Sequence, residues 1–242
     1  MSPLLTSLLL TFGAGAAIPL GGFIASFERI RPRWLERELR HFIIALGGGI
    51  LLGAVAVVLV PEGQALLDDS LWVMLALLSG GLVFFAIERL LGLRRRAAPQ
   101  LMGMLLDFVP EALALGALVA LESPTVPLLA LLIALQNLPE GFNAYRELIP
   151  LSGQNPVKTL RFMARLTLIG PVAGLCGFLF LGALPALLGF VMLFASGGIL
   201  YLIFQDIAPQ ARLKKHWAPP LGAVVGFCIA LFGHLIQGGS HP

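Results

Sequence analysis

Two short stretches of the 242-residue chain carry side chains suited to holding a cation. Asp107-Phe-Val-Pro-Glu111-Ala and Gln136-Asn-Leu-Pro-Glu140-Gly share a polar-x-x-Pro-Glu-small pattern, 29 residues apart. On a helix Asp107 and Glu111 fall on one face, and Gln136 and Glu140 do the same, because residues four apart are neighbours. Each proline removes a backbone N–H and frees the carbonyl four residues earlier, here those of Leu106 and Leu135. Carboxylates, an amide oxygen and freed carbonyls together form a hard, oxygen-rich ligand set.

The elements that must carry these residues are membrane helices. Hydrophobic residues make up 58% of the chain, charged residues only 12%, and the mean hydropathy is +0.92. A soluble domain would hold about twice that charge. A helix crossing the hydrocarbon needs roughly 20 apolar residues, and Leu166–Gln205 alone, without a single charge, has room for two. The sequence predicts an all-α, polytopic membrane protein forming a single transmembrane domain over 1–242, with eight transmembrane helices near 4–26, 42–61, 70–88, 100–121, 126–146, 164–183, 186–206 and 219–239. Glu122-Ser-Pro-Thr-Val-Pro127 marks a tight turn between the fourth and fifth, Gly182-Ala-Leu-Pro185 divides the sixth from the seventh, and Pro219-Pro220 opens the eighth.

Charge placement supports this count. With these spans all 16 Lys and Arg residues fall on one side: Arg29 to Arg40, Arg89 to Arg96, Arg146 to Arg165, and Arg212 to Lys215. The opposite loops hold only Glu62, Asp68, Asp69 and Glu122. The positive-inside rule makes the basic side cytoplasmic, so the expectation is a multi-pass protein of the cell (inner) membrane with both termini non-cytoplasmic. The basic pI of about 9.2 is therefore a topology signal, and a nucleic-acid partner is not expected. The N-terminal run lacks a basic leader, which predicts a retained helix rather than a cleaved signal peptide. Cys176 and Cys228 sit in apolar runs without a CxxC partner, as packing residues would.

Within this frame Asp107, Glu111 and Glu140 lie deep in the membrane, where a carboxylate costs roughly 2.5–3.5 kcal/mol on the mild insertion scale. No intramembrane Lys or Arg pairs with them, which suggests protons, a bound cation, or both. Taking the turn to be centred near Thr125, Glu111 lies 14 residues before it and Glu140 lies 15 after it, which predicts nearly equal depth. Four oxygen-bearing side chains are then expected to converge near mid-membrane. The alternative is that the acids are protonated and only tie helices together by hydrogen bonds.

At these residues the chain resembles the ZIP (ZRT/IRT-like) family of divalent-metal transporters, especially its bacterial branch. Gln136-Asn-Leu-Pro-Glu140-Gly is similar to that family's fifth-span metal motif. Ala195-Ser-Gly-Gly-Ile-Leu-Tyr201, running into Gln205-Asp-Ile-Ala-Pro209, is similar to its seventh span, and Gly48-Gly-Ile-Leu-Leu52, ending at Leu59-Val-Pro-Glu-Gly63, to its second. The resemblance implies a ZIP-like bundle with a binuclear metal centre between spans four and five, and it adds Asn137 to the expected metal ligands Asp107, Glu111, Gln136 and Glu140. Asp107-Phe108 stands where relatives have His-Asn, and Gly170-Pro171 where they often have Glu-Pro. One competent site is expected rather than two.

The resulting expectation is a divalent metal cation as transported substrate, with no cofactor and no enzymatic chemistry, since no nucleophile–base pair or phosphate-cradling loop is present. The lipid bilayer is the other expected partner, and a homodimer is left open. Family analogy names zinc, iron or manganese. Two other readings stand beside it: a transport-silent homologue that senses metal or acts as a scaffold, and a proton-coupled carrier of another solute. His41, His216, His234 and His241 read as interfacial or tail residues. Asp206, near the inner end of span seven, reads as interfacial or as part of an exit path.

Overall fold

The computed structural model describes residues 1–27, 33–67, 71–92, 99–213 and 217–238. The expectations placed on Arg29, Arg31, Asp68, Asp69, Arg94, Arg95, Arg96, Lys214, Lys215, His216 and His241 lie outside them. The described chain is helical throughout, with short connections: α1 (Pro3–Phe27), α2 (Arg33–Ala54), α3 (Val60–Leu67), α4 (Leu71–Gly92), α5 (Pro99–Ala120), α6 (Val126–Leu151), α7 (Pro156–Leu166), α8 (Ile169–Cys176), α9 (Pro185–Leu202), α10 (Ala208–Ala211) and α11 (Leu221–Gly238). One π turn, Val55–Leu59, joins α2 to α3; another, Ile203–Ile207, joins α9 to α10; a third, Gly177–Leu181, extends α8.

Six stretches are long and apolar enough to cross a membrane: Pro3–Phe27, Arg37–Leu67, Leu71–Leu90, Leu101–Ala120, Pro156–Leu181 and Pro185–Ala211. They are compatible with a membrane-embedded protein. α11 is apolar but shorter, and α6 is not among the six. The reason for α6 is local. Its middle carries Gln136, Asn137, Glu140 and Asn143, and such residues are tolerated at depth where neighbouring helices surround them. α6 is packed by α1, α2, α5, α7 and α11, and fourteen of its residues are buried. α4, by contrast, turns Leu71, Trp72, Leu78, Leu82 and Phe85 outward, as a lipid-facing helix would.

The expected punctuation holds at the tight turns, where Leu121–Thr125 separates α5 from α6 and Gly182–Leu184 precedes α9. The stretch expected as the sixth span starts earlier than expected, at Pro156. Asn155 caps α7 by accepting a hydrogen bond from the Lys158 N–H at 3.0 Å, and Pro156 follows at the first helical position. Lys158, Arg161 and Arg165 therefore lie on an amphipathic helix that buries Thr159 and Met163, not in a loop.

Two groups of helices pack internally. α1, α5, α6, α7 and α8 form one; α2–α3, α4, α9–α10 and α11 form the other, with α2 against α6 and α5 against α9 joining them. α1 and α6 approach each other backbone to backbone. A Cβ on Gly21 would overlap the Leu138 carbonyl oxygen, and one on Gly141 would overlap the Ile18 carbonyl oxygen. Reciprocal small residues of this kind are how membrane helices bring their backbones together.

α1 carries its own break in hydrogen bonding. Pro19 leaves the Gly15 carbonyl without its helical donor, and the Thr167 hydroxyl, at the α7–α8 joint, donates to that oxygen at 3.3 Å. Thr167→Val is expected to lower stability by about 0.6 kcal/mol, the mean for hydrogen bonds between membrane helices, as read by reversible unfolding of the purified protein in mixed micelles.

Candidate cation site

The α5–α6 turn decides which polar residues face each other. It occupies residues 121–125, so its midpoint is Ser123, two residues before the Thr125 expected from sequence. A shift of two in the midpoint moves the antiparallel pairing by four residues, which is one helical turn. Glu111 then lies 12 residues before the midpoint and Gln136 lies 13 after it, while Asp107 and Glu140 lie 16 before and 17 after. The expected levelling of Glu111 with Glu140 is corrected accordingly. Each glutamate faces the first polar residue of the other motif.

The contacts agree with that register. The Gln136 Nε2 donates to Glu111 Oε2, and both residues are fully buried. Asp107 and Glu140 line one pocket with Asn143 and Asp206, between α2, α5, α6 and the Ile203–Ile207 turn; Glu111, Gln136 and Asn137 do not line it. Asn137 points to α1, where its Nδ2 donates to the Ala14 carbonyl at 2.9 Å. The four side chains thus form two adjoining pairs rather than one convergent cluster. Among the described residues no three His, Cys, Asp or Glu side chains stand close enough to hold one ion between them. The three carboxylates are nevertheless near enough for their charges to interact.

The chemistry of the pairs lies in their unused oxygens. Asp107 Oδ1, Glu111 Oε1, Gln136 Oε1, Asn137 Oδ1, Glu140 Oε2 and Asn143 Oδ1 are all buried and accept no hydrogen bond from any described residue. Unsatisfied buried polar groups are rare and costly. All six here are acceptors on two neighbouring helices. No Lys or Arg lines the pocket that Asp107, Glu140 and Asn143 share, so a cation or a set of protons is the complement their oxygens require.

The pocket measures about 30 Å³. A water needs about 10–15 Å³ on the same measure, so the space admits a water or a stripped ion and is too small for an organic solute. Two groups that line it, the Asn143 carboxamide and the Asp206 carboxylate, are not among the ligands expected from sequence. Asn143 follows Glu140 by three residues, which places both on one helix face; that spacing was a usable signal. Asp206 sits on a different helix, and only the packing of α2 against the Ile203–Ile207 turn brings it to the pocket.

Around the ring of Phe108, the residue after Asp107, space is closed. Phe108 is fully buried. A Cβ on Gly15 would meet its Cζ at 3.1 Å and one on Gly170 at 2.8 Å; the latter would also meet the Thr11 carbonyl oxygen at 2.5 Å. The two departures seen in the sequence, Phe108 and Gly170, are thus sterically matched: an aromatic ring fills the space beside the residue that lacks a side chain. No protein-family model and no characterised protein matches the chain.

Proposed function

We propose that the chain is a divalent-cation transporter of ZIP-like architecture, with eight membrane spans, both termini outside, and metal moving towards the cytoplasm. The observation that carries this reading is a pocket of ionic size onto which Asp107, Glu140 and Asn143 bring buried, unpaired acceptor oxygens, with three more such oxygens on Glu111, Gln136 and Asn137 of the same two helices. The metal sheds water onto Asp107 and Glu140, with Glu111, Gln136 and Asn137 supplying further oxygens as the helices adjust. Asn143 and Asp206 continue the oxygen lining toward the ends of α6 and α9, on the side of the basic loops. The absence of imidazole ligands tilts selectivity toward harder ions such as manganese or iron.

A metal binds the carboxylates deprotonated, so protons compete with it. Uptake is expected to fall as pH is lowered and to recover when it is raised. The test is a flux panel in liposomes over manganese, iron, zinc, magnesium and calcium at several pH values. Transport of none of these ions would overturn the reading.

One rival keeps a specific observation in its favour. The carboxylates form no three-ligand cluster, and the Phe108 ring fills the space at Gly170, as a transport-silent metal sensor or scaffold would allow. A protein that binds manganese and never moves it in liposomes would favour that rival. The carrier of an organic solute has the pocket's size against it.

A further inference from the structure

A second cavity lies beside the first and has different chemistry. It is a groove of about 670 Å³ between α2, the α9–α10 junction and the start of α11. Its walls are apolar along their length, with Leu52, Ile203, Phe204 and Ala208 among them, and its polar groups gather at one end, where Arg212 and Trp217 stand. Both are exposed, Trp217 at 91%. Among the described residues nothing forms an ion pair with the Arg212 guanidinium. Lys214 and Lys215 follow it in the chain, and no acidic residue lies between Asp206 and the C-terminus.

An apolar slot that ends in a cation and an indole is the complement of an amphiphile with an acidic head. From Ala45 to Leu52 the wall rises about 10 Å at 1.5 Å per residue, which suits part of an acyl chain. Guanidinium groups bind phosphate through paired N–H donors. Tryptophan favours the headgroup level, and basic pockets between membrane helices on the cytoplasmic side select acidic lipids.

We propose that an anionic phospholipid binds this groove, its acyl chain between α2, α9–α10 and α11 and its phosphate on Arg212. The groove and the candidate cation pocket share a wall, since Gly48 and Ile207 line both. A Cβ on Gly48 would meet Ile207 Cγ2 at 2.6 Å, so the partition is a single side chain thick. Ile207 also ends the π turn Ile203–Ile207, and π turns are local, adjustable distortions of a helix. A lipid in the groove therefore bears on the turn that carries Asp206. This consequence for metal passage rests on the transport reading; the binding itself does not.

The experiment is native mass spectrometry of the purified chain released from nanodiscs of equal phosphatidylglycerol and phosphatidylcholine. One phosphatidylglycerol is expected to be retained per chain, in preference to phosphatidylcholine. Arg212→Gln is expected to weaken that preference about fivefold, the equivalent of one basic contact at the surface. Ala208→Trp, at an exposed groove position, is expected to expel the lipid while helicity and elution volume stay unchanged. Equal retention of the two lipids by the wild type, or full preference in Arg212→Gln, overturns the proposal. Retention is read by mass, so it reports on the groove whether or not the protein moves metal. A parallel manganese flux with and without phosphatidylglycerol then addresses passage: stimulation lost in Arg212→Gln supports the link, and flux indifferent to the lipid overturns it.

Discussion

Manganese uptake into liposomes is expected to fall at least ~100-fold when Glu140 becomes alanine, the upper end of what losing even an outer-sphere partner of a metal costs. Glu140 is the glutamate that lines the ion-sized pocket, level with Asp107 on the facing helix. Removing it leaves Asp107 Oδ1 and Asn143 Oδ1 as buried acceptors with one fewer carboxylate to draw a cation between them. Glu140→Gln should be nearly as damaging, since it keeps the shape and loses the charge. Glu111→Gln should retain more uptake, because Glu111 already engages the Gln136 amide and lies outside the pocket lining. The measurement is initial rate against metal concentration, with folded protein verified by elution volume. Wild-type uptake in Glu140→Ala would remove this residue from the pathway.

Gly141→Val is expected to cost about 3 kcal/mol or more, at or beyond the upper end of ordinary overpacking, because backbone rather than a side chain has to give way. A Cβ at this position meets the Ile18 carbonyl oxygen, and the matching glycine on α1, Gly21, is equally closed by the Leu138 carbonyl. The whole α1–α6 contact would have to open. Gly141 is also the residue after Glu140, so a separation there displaces the carboxylate from Asp107. The variant should unfold at lower denaturant in micelles and lose uptake as well. Gly141→Ala should show the same effects in smaller degree. Gly13, where an added Cβ would meet nothing, serves as the control: Gly13→Ala should leave both measurements near wild type.

Much of the fold is legible along the chain because the signals are local. Apolar length identifies helices that could cross a membrane, and the turns at 121–125 and 182–184 fall where Gly, Pro and Glu punctuate the apolar runs. α7 was harder. Its three basic residues read as loop because a charged amphipathic helix has no continuous apolar run to reveal it, yet Asn155-Pro156 is a capping signal that marks its start.

The sequence by itself determined which donor groups are on offer: two Pro-Glu motifs, each with a polar residue one helical turn earlier, rich in oxygen. The tertiary structure decided who meets whom. A two-residue difference in the turn midpoint became a full helical turn of register, because antiparallel pairing doubles any shift of the turn. Glu111 therefore pairs with Gln136, and Asp107 shares its pocket with Glu140. Asn137 went to the Ala14 carbonyl, Phe108 filled the gap at Gly170, and Asp206 arrived from α9–α10. None of these follows from spacing along one helix, since each depends on which second helix packs against it and in what register.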